Sequence, residues 1–225
     1  MCSGRVDLAF VLRAFSNGSD GVFIGGCHLN ECHYITDGNH HAYAMVQICR
    51  KMLGLIGLRP ERLRIDQVSA GEGIRFAEVM NDFSKKLREL GPIGTGEGID
   101  KAALRFKFEA ISRLIPYIRL VERERLRVRC HSAEEYEAYF RTDEVTRLFE
   151  ELIAEKLAIS EIMALLREQP RSTGEISGIL GMPLPEIAKH LNNSARQGLA
   201  KFDDEQRRFK IPDSRFKISD TQLPI

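Results

Sequence analysis

Three things are scarce in this 225-residue sequence: an excess of charge of either sign, a long apolar run, and an even set of cysteines. The 33 Lys and Arg are nearly cancelled by 32 Asp and Glu, for a formal net charge of +1. The total charge therefore asks for neither nucleic acid nor an anionic membrane. No apolar run approaches the roughly 20 residues that span a bilayer. The first residues show no charged leader followed by an apolar core, so export is not indicated. Five cysteines, an odd number in a chain not expected to be exported, point to reduced thiols or metal ligands rather than a disulfide framework. The cytoplasm is the expected compartment. What is present, 43% hydrophobic residues and a mean hydropathy of -0.24, suits a soluble globular chain. Its length allows two domains of about 100 residues each.

The first ninety residues alternate helix and strand. Leu8, Val11, Leu12 and Phe15 mark a helix with one buried stripe, stopped by Asn17-Gly18. "GVFIGG" (21–26) reads as a short buried strand. Ala42, Met45, Val46, Cys49, Met52, Leu53 and Ile56 form a second amphipathic helix, closed by Gly57 and Pro60. "LRIDQVS" (63–69) is a second strand, and Phe76, Val79, Met80, Phe83, Leu87 and Leu90 mark a third helix. Such alternation predicts parallel βαβ units, an α/β domain of Rossmann or flavodoxin-like type over residues 1–92. Two strands for three helices make a poor core, so the sheet is expected to be incomplete. A leading strand would then come from a partner chain or from sequence encoded upstream of Met1.

"GPIGTGEGID" (91–100) is glycine-rich and aperiodic and reads as a linker. With the charged helical stretches that follow, broken or kinked at Pro116, it makes a connector over 93–157. The apolar positions of its first helix, Leu104, Phe108, Ile111, Leu114, Ile115 and Ile118, need another domain or a neighbouring chain to cover. Residues 158–213 change grammar. A helix through Ile159, Ile162, Met163 and Leu166 precedes the capping box "STGE" (172–175). A short helix, a turn at Gly181, a helix opened by Pro185 and two short strands within 198–211 follow. This order predicts a C-terminal winged helix-turn-helix with a tail at 214–225.

The chemistry sits in "GGCHLNECHY" (25–34). Cys27 follows the carboxyl end of a predicted strand, where α/β sheets place their ligands. The spacing to Cys32 lets one loop present two thiolates to one centre, and Cys2, before the first helix, lies at the equivalent edge if a missing strand precedes it. A C-x4-C pair of this kind occurs in plant-type [2Fe–2S] proteins. His28 and His33 leave a zinc site of two sulfurs and two nitrogens open, and Cys27 with His28 leaves thiolate catalysis open. Cys49 lies on an apolar stripe and reads as core, Cys130 as a bystander, and His40-His41 as surface. "SAGEG" (69–73) reads as helix capping and "GTGEG" (94–98) as linker, since neither completes a GxGxxG.

Residues 1–92 carry, in order, CSGR, GGCH, a second cysteine before HY, and "SAGEG". In these motifs the segment resembles the hydrogenase iron–sulfur subunit family, the delta subunit of methyl-viologen-reducing hydrogenase. The resemblance implies a non-catalytic electron-transfer subunit with a [2Fe–2S] cluster on Cys2, Cys27 and Cys32. It implies the flavoprotein subunit of a heterodisulfide reductase as one partner and a hydrogenase or formate dehydrogenase as the other, in an electron-bifurcating assembly. Members also carry an upstream strand and a CxxC-like pair, which this sequence does not show. Three cysteines leave a four-ligand cluster one short, the same gap that the strand count exposes.

The C-terminal module raises a second reading, an iron–sulfur or zinc-dependent transcriptional regulator. Lys189, His190, Asn192, Asn193 and Arg196 on the third helix, with Arg207 and Arg208 on the wing, would be its DNA contacts. Ten Lys and Arg against nine Asp and Glu over 158–225 give little phosphate neutralisation. Asp203, Asp204 and Glu205 would repel a backbone at the wing tip. Protein docking is the expected role, and nucleic acid is not an expected partner.

Overall fold

The computed structural model describes residues 2–34 and 38–212. They fall into two compact units, Met1–Leu157 and Ala158–Ile225. The chain mixes helix and strand and is mostly helical. Among the described residues no helix is long and apolar enough to cross a membrane.

In the first unit, Cys2 precedes a 3-10 turn, Ser3–Arg5, and helix α1 (Leu8–Ser16) follows, with the Asp7 carboxylate capping the Ala9 amide at 2.7 Å. Strand β1 (Val22–Gly26) runs to the cysteine loop, and helix α2 (Asn39–Leu55) crosses back to β2 (Leu63–Gln67). The strands are parallel, in register from Val22↔Leu63 to Gly26↔Gln67. These are the two strands expected, and they form a two-stranded sheet. Ile24 and Leu63 are buried in the core, while Phe23 lies against Phe76 and Phe83 of helix α3 (Gly73–Leu90).

Helix α3 departs from its expected stripe: Val79, Phe83 and Leu90 are buried, yet Phe76 is 47% exposed. Helix α2 departs in the other direction. Its stripe is buried as expected, but so are Asn39, His40, Tyr43, Gln47 and Ile48. The cause is the segment expected to cover another domain or a neighbouring chain. Helices α4 (Lys101–Arg113) and α5 (Ile115–Val121), a π-helical turn (Glu122–Leu126), α6 (Ala133–Phe140) and α7 (Asp143–Phe149) fold within the same unit. Helix α4 packs on α1, and α6 on α2. Phe108, Ile111, Ile118, Tyr136 and Phe140 all join the common core. Each such burial is worth about 1.5–3 kcal/mol, which is why these helices close over α1 and α2. Pro116 separates α4 from α5, as expected of a residue without an amide proton.

The glycine-rich stretch 91–100 is folded rather than a flexible linker. It forms a 3-10 turn, Thr95–Glu97, flanked by Gly94 (φ 77°) and Gly98 (φ 71°). Glu97 enters the interior and meets Arg62, a side chain with no exposure at all. The pairing is bidentate, Nε to Oε1 at 2.7 Å and Nη2 to Oε2 at 3.0 Å. Arg62 also donates to the Asp20, Leu90 and Pro92 carbonyls. A Cβ at Gly96 would collide with the Leu90 carbonyl oxygen, so only glycine fits there.

The second unit continues from helix α8 (Glu155–Glu168) to α9 (Thr173–Leu180), α10 (Leu184–Arg196) and an antiparallel pair, β3 (Lys201–Asp203) and β4 (Arg208–Lys210). Arg171 bridges to Phe209 on the other side of β4. The capping box is formed: Ser172 Oγ accepts from the Glu175 amide, and Glu175 Oε2 accepts from the Ser172 amide. Gly181 ends α9 in the left-handed conformation (φ 69°). Ile162, Leu166, Ile176, Ile187, Leu191 and Phe209 are buried.

Candidate functional site

The cysteine loop leaves β1 at Gly26 and returns to the protein at the first turn of α2. Cys27 is the first residue beyond the strand, and Asn30 turns the loop with a left-handed φ of 69°. Cys32 is 8% exposed and faces back to the Cys2 turn. The Cys2 and Cys32 sulfurs lie 3.6 Å apart. Two thiolates about 2.3 Å from one tetrahedral metal are separated by roughly 3.75 Å, so this spacing matches a ligand pair. It is far from the roughly 2.05 Å of a disulfide, and all five cysteines are free.

The Cys27 thiol interacts with both neighbours. Burial pushes it up, reinforced by its hydrogen bond with Cys32 and by the charges of Cys32 and Cys2. Burial also acts to raise Cys32, but the Asn39 and Tyr34 amides and then the Cys2 and Cys27 thiols outweigh it. The Cys32 thiol is thereby held below its ordinary value. Amides reach the other two sulfurs as well, Gly4 N to Cys2 at 3.4 Å and Asn39 Nδ2 to Cys27 at 3.5 Å.

The structure thus brings Cys2, Cys27 and Cys32 together and leaves Cys49 and Cys130 elsewhere, both buried in the core. Among the described residues, no three His, Cys, Asp or Glu side chains are grouped to hold a single metal ion. The three thiols do suit a larger sulfur-bridged group. The donors are sulfurs, soft ligands once deprotonated, with N–H groups around them. A Cβ at Gly38 would overlap the Cys32 sulfur, and one at Gly26 would come within 2.8 Å of Ser3 Oγ. Among the described residues Ser3 Oγ is buried without a hydrogen-bond partner, a hydroxyl that could donate to a sulfur-rich bound group.

The histidines have other duties. His28 Nε2 meets Glu72 Oε2 at 2.8 Å, and its Nδ1 meets Gln67 Oε1 at 3.3 Å, so both ring nitrogens are engaged. Glu72, chiefly through the Ser69 amide (2.7 Å) and then His28, is held below the usual carboxylate value, and it raises His28 in return. Glu72 of "SAGEG" therefore ties the two strand-end loops together, beyond the helix capping expected of it. His33 is exposed and stands edge-on to Tyr34. His40 and His41 are not the surface pair expected. His40 is 3% exposed, its Nδ1 3.0 Å from Tyr136 Oη, because α6 covers the start of α2. His41 Nδ1 lies 3.1 Å from the Gly4 carbonyl oxygen, and its Nε2 faces Glu122 of the π-helical turn at 3.4 Å. Asn39, His41 and Glu122 were not legible as site residues, since nothing in their spacing points at the cysteine loop or at a turn in the connector.

On the second unit, Lys189, Asn192, Asn193 and Arg196 share the exposed face of α10. His190 does not, because it falls on the face of Ile187 and Leu191 and is 3% exposed. Arg208 is paired with Glu175 at 2.7 Å, and Arg207 lies over the Phe202 ring at 6.0 Å. The candidate contacts are thereby reduced to part of one helix face.

Three cysteines thus lie near the carboxyl end of a parallel strand, the edge where α/β sheets place ligands, with N–H groups near their sulfurs. Residues 1–91 match the family model of the methyl-viologen-reducing hydrogenase delta subunit. The chain is 43% identical over 101 residues to the iron–sulfur subunit of the vhc F420-non-reducing hydrogenase of Methanococcus voltae, 45% of this chain and 69% of that protein. It is 47% identical over 91 residues to the F420-non-reducing hydrogenase iron–sulfur subunit of Archaeoglobus profundus, 40% of this chain and 66% of that protein. A subunit of the ferredoxin/F420H2-dependent CoB–CoM heterodisulfide reductase of Methanosarcina acetivorans matches at 48% over 95 residues, 42% of this chain and 12% of that protein. The chain belongs to the methyl-viologen-reducing hydrogenase delta subunit family. It spans about two thirds of the hydrogenase relatives and about an eighth of the heterodisulfide reductase relative.

Proposed function

We propose that this chain is an electron-transfer subunit that carries an iron–sulfur cluster of the [2Fe–2S] type on Cys2, Cys27 and Cys32. The observation that carries the reading is the gathering of three thiols, two of them 3.6 Å apart, under amide donors. The relatives' names, an iron–sulfur subunit of a hydrogenase and a subunit of a heterodisulfide reductase, support it. When bound, the cluster supplies reversible one-electron chemistry at a potential set by its surroundings. The chain's own residues hold the thiolates in place, exclude water on the Cys32 side, and aim N–H groups at sulfur. A [2Fe–2S] cluster takes four protein ligands. The fourth is assigned to a partner protein or to another part of the polypeptide.

The partners that suit this role are the flavoprotein subunit of a heterodisulfide reductase and a hydrogenase or formate dehydrogenase, within an electron-bifurcating assembly. Residues 158–213 are read as a winged helix, with α8, α9 and α10 followed by the β3–β4 wing, and its role as protein docking. Asp204 and Glu205 at the hairpin tip and the Glu175 pairing of Arg208 argue for docking over DNA. The test is anaerobic purification of the full chain, alone and with its partners, with iron, sulfide and zinc analysis and EPR of the reduced sample. Iron and acid-labile sulfide with a reduced-state EPR signal are expected; zinc without iron in the native complex would refute the proposal.

A further inference from the structure

We infer that Asn39 is the positioning residue that fixes Cys27 against Cys32 and sets the reduction potential of the centre they hold. This rests on the iron–sulfur reading above and adds to it a residue outside the cysteine set.

Asn39 opens α2, and its side chain is wholly buried. Its Nδ2 donates to the His28 carbonyl at 2.7 Å, to the Cys27 carbonyl at 3.0 Å and to the Cys27 sulfur at 3.5 Å. Its backbone amide hydrogen-bonds the Cys32 sulfur. One residue thus donates to two of the three sulfurs, and through the carbonyls it also fixes the backbone between them. That close approach needs Gly38 before it, where any Cβ would overlap the Cys32 sulfur.

The way Asn39 is used separates this role from ordinary helix capping. A cap uses the side-chain oxygen as an acceptor for an amide of the first turn. Here the oxygen, Oδ1, is buried and accepts nothing among the described residues, while the amino end bonds the loop. Aspartate has the same size and caps as well, but it has no N–H to offer the Cys27 sulfur. The structure therefore uses the donor end of this amide, and the acceptors are the cysteine loop.

The consequence is electrostatic. Reduction adds one electron, and no proton, to the centre, and the added negative charge spreads over its sulfurs. Donors that point at those sulfurs favour the reduced form and raise the potential. Removing the Nδ2–H group lowers it. Putting a carboxylate in its place adds repulsion to the loss and lowers it further.

The test uses the full chain reconstituted anaerobically with ferrous iron and sulfide. The Asn39→Ala and Asn39→Asp variants are compared with the parent by EPR-monitored titration with dithionite and mediator dyes. At a fixed solution potential, N39D should shift the oxidised-to-reduced ratio more than tenfold toward oxidised, a fall of more than about 59 mV for a one-electron couple. N39A should shift it in the same direction by less. A second measurement does not depend on either variant folding. The chain is labelled with 15N-asparagine, and Asn30, the other asparagine of the loop, is replaced by glycine, which suits its φ of 69°. Pulsed EPR of the reduced centre should then show an asparagine nitrogen coupling. An iron-loaded N39D at the parent potential overturns the Asn39 role alone, as does absence of the coupling. A parent chain that takes up no iron, with or without its partners, overturns the cluster reading and this inference together.

Discussion

Glu97→Ala is the substitution whose cost the structure defines best. Arg62 and Glu97 are both withdrawn from solvent, with side-chain exposures of 0% and 4%. Deleting the carboxylate leaves a guanidinium in the interior with three carbonyl oxygens and no counter-charge. It also strips acceptors from the Arg59 and Gly94 amides. Breaking a buried pair from one side costs about 3–5 kcal/mol. For a unit of this size each kcal/mol moves the melting temperature by about 2–4 °C, so the loss is roughly 6–20 °C. The assay is thermal unfolding by circular dichroism, with the transitions of the two units followed separately because a chain with two units need not melt as one. The fall belongs to the first unit, and the second should keep its midpoint. Replacing both partners by apolar residues, Arg62→Met with Glu97→Leu, should recover most of the loss, because no charge is then stranded. The pH dependence provides a further check. Burial acts to raise Glu97, but the Arg62 guanidinium and the Arg59 and Gly94 amides win and hold it below its ordinary value of 4.5. A depressed carboxyl contributes its full stability above that value and loses it as pH falls through the folded value. Glu97→Gln should remove that acid-side slope. A shift below 2 °C for Glu97→Ala would refute the idea that this pair, rather than the surrounding apolar core, holds the loop.

Five other substitutions test other parts of the chain. Cys27→Ser and Cys32→Ser should each lower bound iron severely, whereas Cys49→Ser, buried on α2 away from the site, should keep it; iron and sulfide assays on reconstituted protein decide this. His41 is raised above its ordinary 6.5 by the Glu122 carboxylate 3.4 Å away, against the opposing effect of burial and of the Arg127 charge. That pairing stabilises fully below 6.5 and fades as pH rises through the folded value, so His41→Gln should flatten the parent's loss of stability as pH rises above 6.5 in urea titrations; an unchanged slope would show that Glu122 is not its source. Ser172→Ala removes the reciprocal cap of α9 and should cost about 1 kcal/mol, seen as a fall of roughly 4–8 °C in the second unit's transition alone.

Local order was largely readable from residue pattern. The stripes of α1 and α2, the two strands, the Ser172–Glu175 box and the break at Pro116 are each set by neighbours within a few positions. The positions that escaped the sequence depend on distant partners. Glu97 looks like part of a flexible glycine run until Arg62, 35 residues away, is seen to require it. His40 and His41 sit beside charged and polar neighbours, yet Tyr136 and Glu122 draw them inside. The connector's apolar stripe was legible, but not that its cover would be α1 and α2. At the site, strand-end logic and family resemblance brought forward the three cysteines, whereas Asn39 carries no pattern of its own. The family match ends at residue 91, short of Glu97, so a protein trimmed to that match would strand the Arg62 charge.

Helix α2 is enclosed on nearly every side along its first four turns. In a close-packed interior such a helix has no freedom to roll or slide. The N–H groups of its first turn are therefore fixed dipoles, anchored by a rod that ends deep in the core. On the proposed function, a centre held at the cysteine loop would find those dipoles already aimed, and the fold would need no rearrangement to accommodate added charge or to release it. Transfer on that proposal would then be limited by distance to the partner and by solvent response at the exposed rim near His33 and Tyr34, rather than by motion of the fold itself.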